Sequence, residues 1–124
     1  MAEKEVLMGH SGMNKIDMIS VDRSSGQVLL HLIMEGPWND VGDRMEWLHR
    51  RLNIYGAFVV TGQLAESEAY RGLAPKVLLH CEVDPPPEVL AVIATMRQYL
   101  LAQSIELAVT IGHDLTTEIP LSAP

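Results

Sequence analysis

The stretch that decides the fold is KVLLHCEVDPPPEVLAVIATMRQYLL, Lys76 to Leu101. Its first eight residues are β-rich and mostly apolar. Three prolines, Pro85 to Pro87, then end that run. Proline is tolerated in a first helical turn, where its missing N–H has no intrahelical partner, and Asp84 stands before it as a cap candidate. Val89, Val92, Ile93, Met96, Leu100 and Gln103 follow at three- and four-residue steps, which predicts one face of an α-helix. The stretch is therefore a strand, a short break and a helix.

Toward the C-terminus, IELAVTI alternates. Ile105, Leu107, Val109 and Ile111 fall on one side, and Glu106, Ala108 and Thr110 on the other, as in a half-exposed strand. Residues 113–124 read as a tail. Toward the N-terminus, AESEAYRGLAP (65–75) reads as a loop, with Tyr70 and Arg71 on a surface turn. Before it, Met45, Leu48, Leu52, Tyr55 and Val59 mark one long helix, flanked by Trp47, Ile54 and Phe58. The stripe stays in phase across Gly56, and Gly62 supplies the stop. A rival parse ends the helix at Gly56 and makes AFVVT a strand. Asn39 or Asp40 can cap this helix, with Trp38 packing back as a staple and Trp47 at the helix edge. Earlier still, KIDMISVD and GQVLLHLIM flank the turn residues Ser24, Ser25 and Gly26, which predicts a β-hairpin. Its second strand is almost wholly apolar and so is expected to be buried on both faces. Residues 1–12 are polar and unpatterned and are read as a flexible extension outside a single domain over 13–112.

The order β-β-α-β-α-β predicts an α+β fold. The economical arrangement is a two-layer sandwich, a four-stranded mixed sheet with both helices on one face. On KIDMISVDRSSGQVLLHLI, LHRRLNIYGAFVVTGQL and KVLLHCEVDPPPEVL, the chain resembles a family of small bacterial proteins catalogued as a domain of unknown function. The shared features are an Ile-Asp opening, Asn53-x-Tyr55 followed by Gly62-Gln63, and prolines before the second helix, across Asn14 to Gly112. The resemblance implies the same element order and one helix through Gly62. It brings no activity, ligand or catalytic residue.

Bulk properties bound the function. The 124 residues are 48% hydrophobic and 20% charged, an ordinary globular composition with a net charge of −7. That sign repels phosphate backbones, so nucleic acid is not an expected partner. No segment reaches the ~20 apolar residues of a membrane span. One cysteine makes neither an internal disulfide nor a zinc ribbon, and no export signal is read at the start, which together point to the cytoplasm. There is no HExxH, no glycine-rich phosphate loop and no cofactor motif.

His80 and Cys81 are neighbours, and neighbours in a strand point to opposite faces. Cys81 shares its side with Val77, Leu79 and Val83, so it is expected in the core under the helices. His80 shares the other side with Leu78 and Glu82. The same rule puts Leu29, His31 and Ile33 on that outer side, with Glu106 from the last strand. Two histidines and two carboxylates can bind a metal or perform acid–base work, so His31, His80, Glu82 and Glu106 form one candidate site. An open face mixing Leu29, His31, Ile33, Leu78 and His80 also suits a homodimer interface. The favoured reading is a protein-interaction domain that dimerises through this face; a metal-binding protein or small enzyme is the alternative. His49 is expected in solvent, and His10 and His113 in the terminal segments.

Overall fold

The computed structural model describes residues 4–8 by their backbone, and residues 16–112, 117–119 and 121 in full. Its elements are β1 (Lys4–Met8), β2 (Met18–Asp22), β3 (Gln27–Met34), α1 (Val41–Val60), a short 3-10 turn (Leu64–Glu66), β4 (Ala74–Cys81), α2 (Pro87–Leu101), β5 (Glu106–Ile111) and β6 (Glu118–Ile119). The six strands form one sheet in chain order. β3–β4 and β4–β5 are parallel and the other pairs antiparallel. The fold is thus α+β with two helices on a mixed sheet.

The expected four strands are its centre, and the count is corrected to six. β1 comes from the segment set aside as an extension, where it pairs with β2 from Lys4 opposite Asp22 to Met8 opposite Met18. β6 comes from the expected tail and adds two residues beside β5. Neither has a run long enough to announce itself by period. An edge strand is specified by the neighbour it pairs with.

α1 is a single helix through Gly56, as its stripe predicts. Gly56 meets Leu100 of α2 closely: a β-carbon there would lie 3.1 Å from Leu100 Cδ2. Gly62 follows the helix at φ +88°, the left-handed conformation that a glycine stop supplies. The N-terminal caps differ from expectation. Asp40 occupies the α1 cap position in a left-handed conformation and makes no side-chain cap bond. Pro86, not Asp84, occupies the α2 cap position. Trp38 is half-buried, and its Nε1–H donates to Val83 O at 2.9 Å, tying the β3–α1 and β4–α2 loops. Tyr70 is no surface residue; it is buried in the core, and Arg71 donates from the same turn to Ala65 O at 3.0 Å.

Both helices cover the sheet face formed by Val28, Leu30, Leu32, Met34, Val77, Leu79, Cys81, Leu107 and Val109. From the helices come Leu48, Leu52, Tyr55 and Phe58, with Val89, Ile93, Met96 and Leu100. Cys81 belongs to this core, and burial pushes its thiol up to about 12. Tyr55 is also fully buried, and burial is the main cause that pushes its hydroxyl up to about 12. That hydroxyl donates to His31 O at 2.7 Å and accepts from Asp17 N at 3.0 Å, so α1 is bonded directly to the sheet backbone.

Candidate functional site

The face away from the helices carries a chain of side chains across four strands. The pairing register builds it. Ser20 lies opposite Leu29 and Met18 opposite His31, so Ser20 is diagonal to His31 on the β2–β3 ladder. His31 lies opposite Leu78 and Ile33 opposite His80, so the two histidines are diagonal across β3–β4. His80 faces Thr110 directly across β4–β5. Diagonal and direct neighbours on one face are within reach of such side chains.

Three hydrogen bonds link the four residues. Ser20 Oγ is 2.8 Å from His31 Nε2. His31 Nδ1 is 2.9 Å from His80 Nε2, and the two rings are nearly parallel, 13° apart with centroids at 5.1 Å. His80 Nδ1 is 2.6 Å from Thr110 Oγ1. A neutral imidazole has one N–H and one lone pair. The chain can therefore run from the serine hydroxyl to the threonine or in reverse, satisfying every ring nitrogen either way. Ser20, His31, His80 and Thr110 are all buried, and Leu29, Leu78 and Ala108 pack beside them as a second apolar cluster.

This arrangement corrects the candidate site. His31 and His80 are brought together; Glu82 and Glu106 are not. Glu106 lies opposite Lys76 at the start of β4, where it accepts from Gln27 Nε2 at 2.9 Å and sits 3.6 Å from Lys76 Nζ. Glu82 lies six residues beyond Lys76, about 20 Å along the strand direction. There it accepts from Gly36 N at 2.6 Å and buckles the two loops at that end. The described residues contain no group of three or more His, Cys, Asp or Glu side chains arranged to hold a metal ion. Ser20 is 1% exposed in mid-strand, paired with Val6 of β1 on one side and Leu29 of β3 on the other.

The premise of an open face is corrected too. Of Leu29, His31, Ile33, Leu78 and His80, only Ile33 is exposed; the other four are buried within one chain. Sequence reasoning placed Thr110 on this face without giving it a role, and did not consider Ser20. Alternation along β2 puts Ser20 beside Met18 on the histidine side, which was the available signal. Lys76 was also overlooked. It is buried on this face and bonds to Glu118 of β6, latching that strand to β4 across β5. Burial pushes the Lys76 ammonium down, but the Glu118 hydrogen bond and the charges of Glu106 and Glu118 outweigh it and leave it raised. His49 is exposed, as expected, and His10 and His113 lie outside the described residues.

A second feature lies at the carboxyl end of β3. Ile33, Met34, Glu35, Asp43, Arg44 and Trp47 line a pocket of about 400 Å³. Ile33 and Trp47 are each 38% exposed. The Arg44 guanidinium lies over the Trp38 ring, 5.0 Å from its centroid, and donates to Glu35 O at 2.5 Å. Its Nε is buried without a hydrogen-bond partner among the described residues. Arg51, behind Trp47, lies between that ring and Tyr55, with centroid distances of 5.6 and 5.4 Å.

The sequence profile of a family of unknown function (DUF6572) matches residues 8–113. The chain belongs to that family. The match runs from the end of β1 through β5, so the buried chain from Ser20 to Thr110 lies wholly inside the DUF6572 region. The pocket at Ile33 and Trp47 lies inside it as well. No curated protein and no solved structure matches the chain. Among the described residues, no helix is long and apolar enough to cross a membrane.

Proposed function

We propose that this DUF6572 chain is a small protein-interaction domain that pairs with a second copy of itself. The observation that carries the reading is the pair Ile33 and Trp47, both exposed and both lining one pocket with Arg44. Tryptophan, arginine and a branched aliphatic residue around a depression are the side chains that anchor interfaces. Ile33 is also the one member of the expected dimer face that remains accessible. The docking surface is thereby moved from the middle of the sheet to its rim, where the sheet meets the first turns of α1. The net charge of −7 argues against nucleic acid as the partner, and one buried thiol suits a cytoplasmic setting.

Size-exclusion chromatography with light scattering tests this at high micromolar concentration. The expected result is a dimer mass for the wild type and a monomer mass for Ile33→Arg, with Trp47→Ala weakening association. A wild type that stays monomeric over the whole range overturns self-pairing.

A further inference from the structure

We propose that His31 and His80 form a one-proton switch: the buried pair accepts one proton without rearranging, and a second forces the two rings apart. The argument is a count of hydrogens. The neutral pair carries two ring N–H groups, one of them shared across the 2.9 Å gap between His31 Nδ1 and His80 Nε2. One added proton makes three. The ends, His31 Nε2 and His80 Nδ1, then both donate, and the Ser20 and Thr110 hydroxyls rotate to accept, which a hydroxyl can do. The single shared hydrogen stays in the gap. A fourth ring hydrogen would put two N–H groups against each other in that gap. It would also stack two cations with centroids 5.1 Å apart on a buried face.

The charged groups described on this face are each engaged with other partners. On the same face, β2 contributes Asp22 at its hairpin end, where it accepts from Ser24. β4 contributes Lys76, engaged with Glu106 of β5 and Glu118 of β6. At the other end stand Glu82, bonded to Gly36 N, and Asp17, which accepts from Ile33 N at 2.9 Å and pairs with Arg51 at 3.6 Å. Directly beside the rings stand Leu29, Leu78 and Ala108. The helices lie behind the sheet, separated from the rings by Leu30, Leu32 and Leu79. Acid is therefore expected to weaken the link between β3 and β4, the central parallel pair of the sheet.

In the unfolded chain both imidazoles protonate independently near the ordinary value of about 6.5. The folded pair holds one proton fewer than the unfolded chain, so stability is lost as pH falls through that range. Urea unfolding of the wild type and of His80→Gln, between pH 6.5 and 5.0, tests it. The amide oxygen of glutamine can accept from His31, so the variant's remaining ring has no opposing N–H. The other histidines and all carboxylates are common to both proteins and cancel in the comparison. The expected result is a wild-type unfolding constant that rises with acid about tenfold per pH unit more steeply than the variant's. Equal slopes overturn the switch. A second measurement needs no variant. Imidazole NMR signals of the folded wild type from pH 8 to 5 should show one ionisation shared by His31 and His80. Two complete ionisations with the strand amide signals unchanged overturn it equally.

Discussion

On the helix side of the sheet, Leu30, Leu79 and Val109 are wholly buried under Leu52, Ile93 and Leu100. On the other side, Ser20, His31, His80 and Thr110 are buried almost as completely, yet with polar atoms bonded in series. The first face is held by removal of apolar surface from water, which has no direction and tolerates small shifts. The second depends on hydrogen bonds between diagonal and opposite residues. A one-residue slip of any central strand would send its member of the chain to the other face. The comparison teaches that the helix side supplies most of the stability, and the histidine side specifies the register of the four central strands.

The largest effect should come from the apolar side. Leu79→Ala removes a fully buried side chain between both helices and the sheet, and should cost about 2–5 kcal/mol in chemical denaturation. A loss under about 1 kcal/mol would mean that the helix layer is not the main source of stability.

The second test separates the faces by pH. Cys81 and Tyr55, both on the helix side, have ordinary values of 9.0 and 10.0 and are each held up to about 12 when folded. The unfolded chain releases these protons first. Their contribution is therefore complete below about pH 9 and is lost as pH rises toward 12. Stability should fall on the order of 2 kcal/mol by about pH 10.5, less so in Cys81→Val. The helix side would then be the alkali-sensitive face and the histidine side the acid-sensitive one. A thermal midpoint that is flat from pH 8.5 to 10.5 would break the distinction.

A smaller loss is expected from Thr110→Val. It keeps the volume of a fully buried side chain and removes the hydroxyl that meets His80 Nδ1. The cost should be about 1–3 kcal/mol, the range for depriving a buried polar group of a partner. Ser20→Ala should behave similarly at the other end. If His31→Leu with His80→Leu costs less than either single change, the faces differ in specificity rather than in strength.

Several features were legible in residues 76–101 and their flanks because they are local. Alternation assigned His80 and Cys81 to opposite faces, and likewise His31 and Leu30, because the period of a strand is two. The long helix was readable through Gly56 because its stripe keeps phase on both sides. Trp38 was readable as a staple packing back at the helix start, although the acceptor of its N–H, Val83 O, comes from another loop. The caps were misread because Asp40 and Asp84 have the right side chains, while backbone geometry decides whether a side chain turns back onto its helix.

What the sequence alone determined about this protein is periodic: the four central strands and the two helices, and which side of each of those strands carries histidine, cysteine or leucine. Only the tertiary structure decided that β3 lies between β2 and β4, that Ser20 and Thr110 close the histidine chain at its ends, and that β1 and β6 extend the sheet. It also decided that Glu82 and Glu106 stand at opposite ends of β4, and that the face expected to be open is buried. The physical reason is that periodicity follows from the geometry of a single segment. Strand order, register and coverage are pairwise properties of segments far apart in the chain, chosen by the packing of the whole.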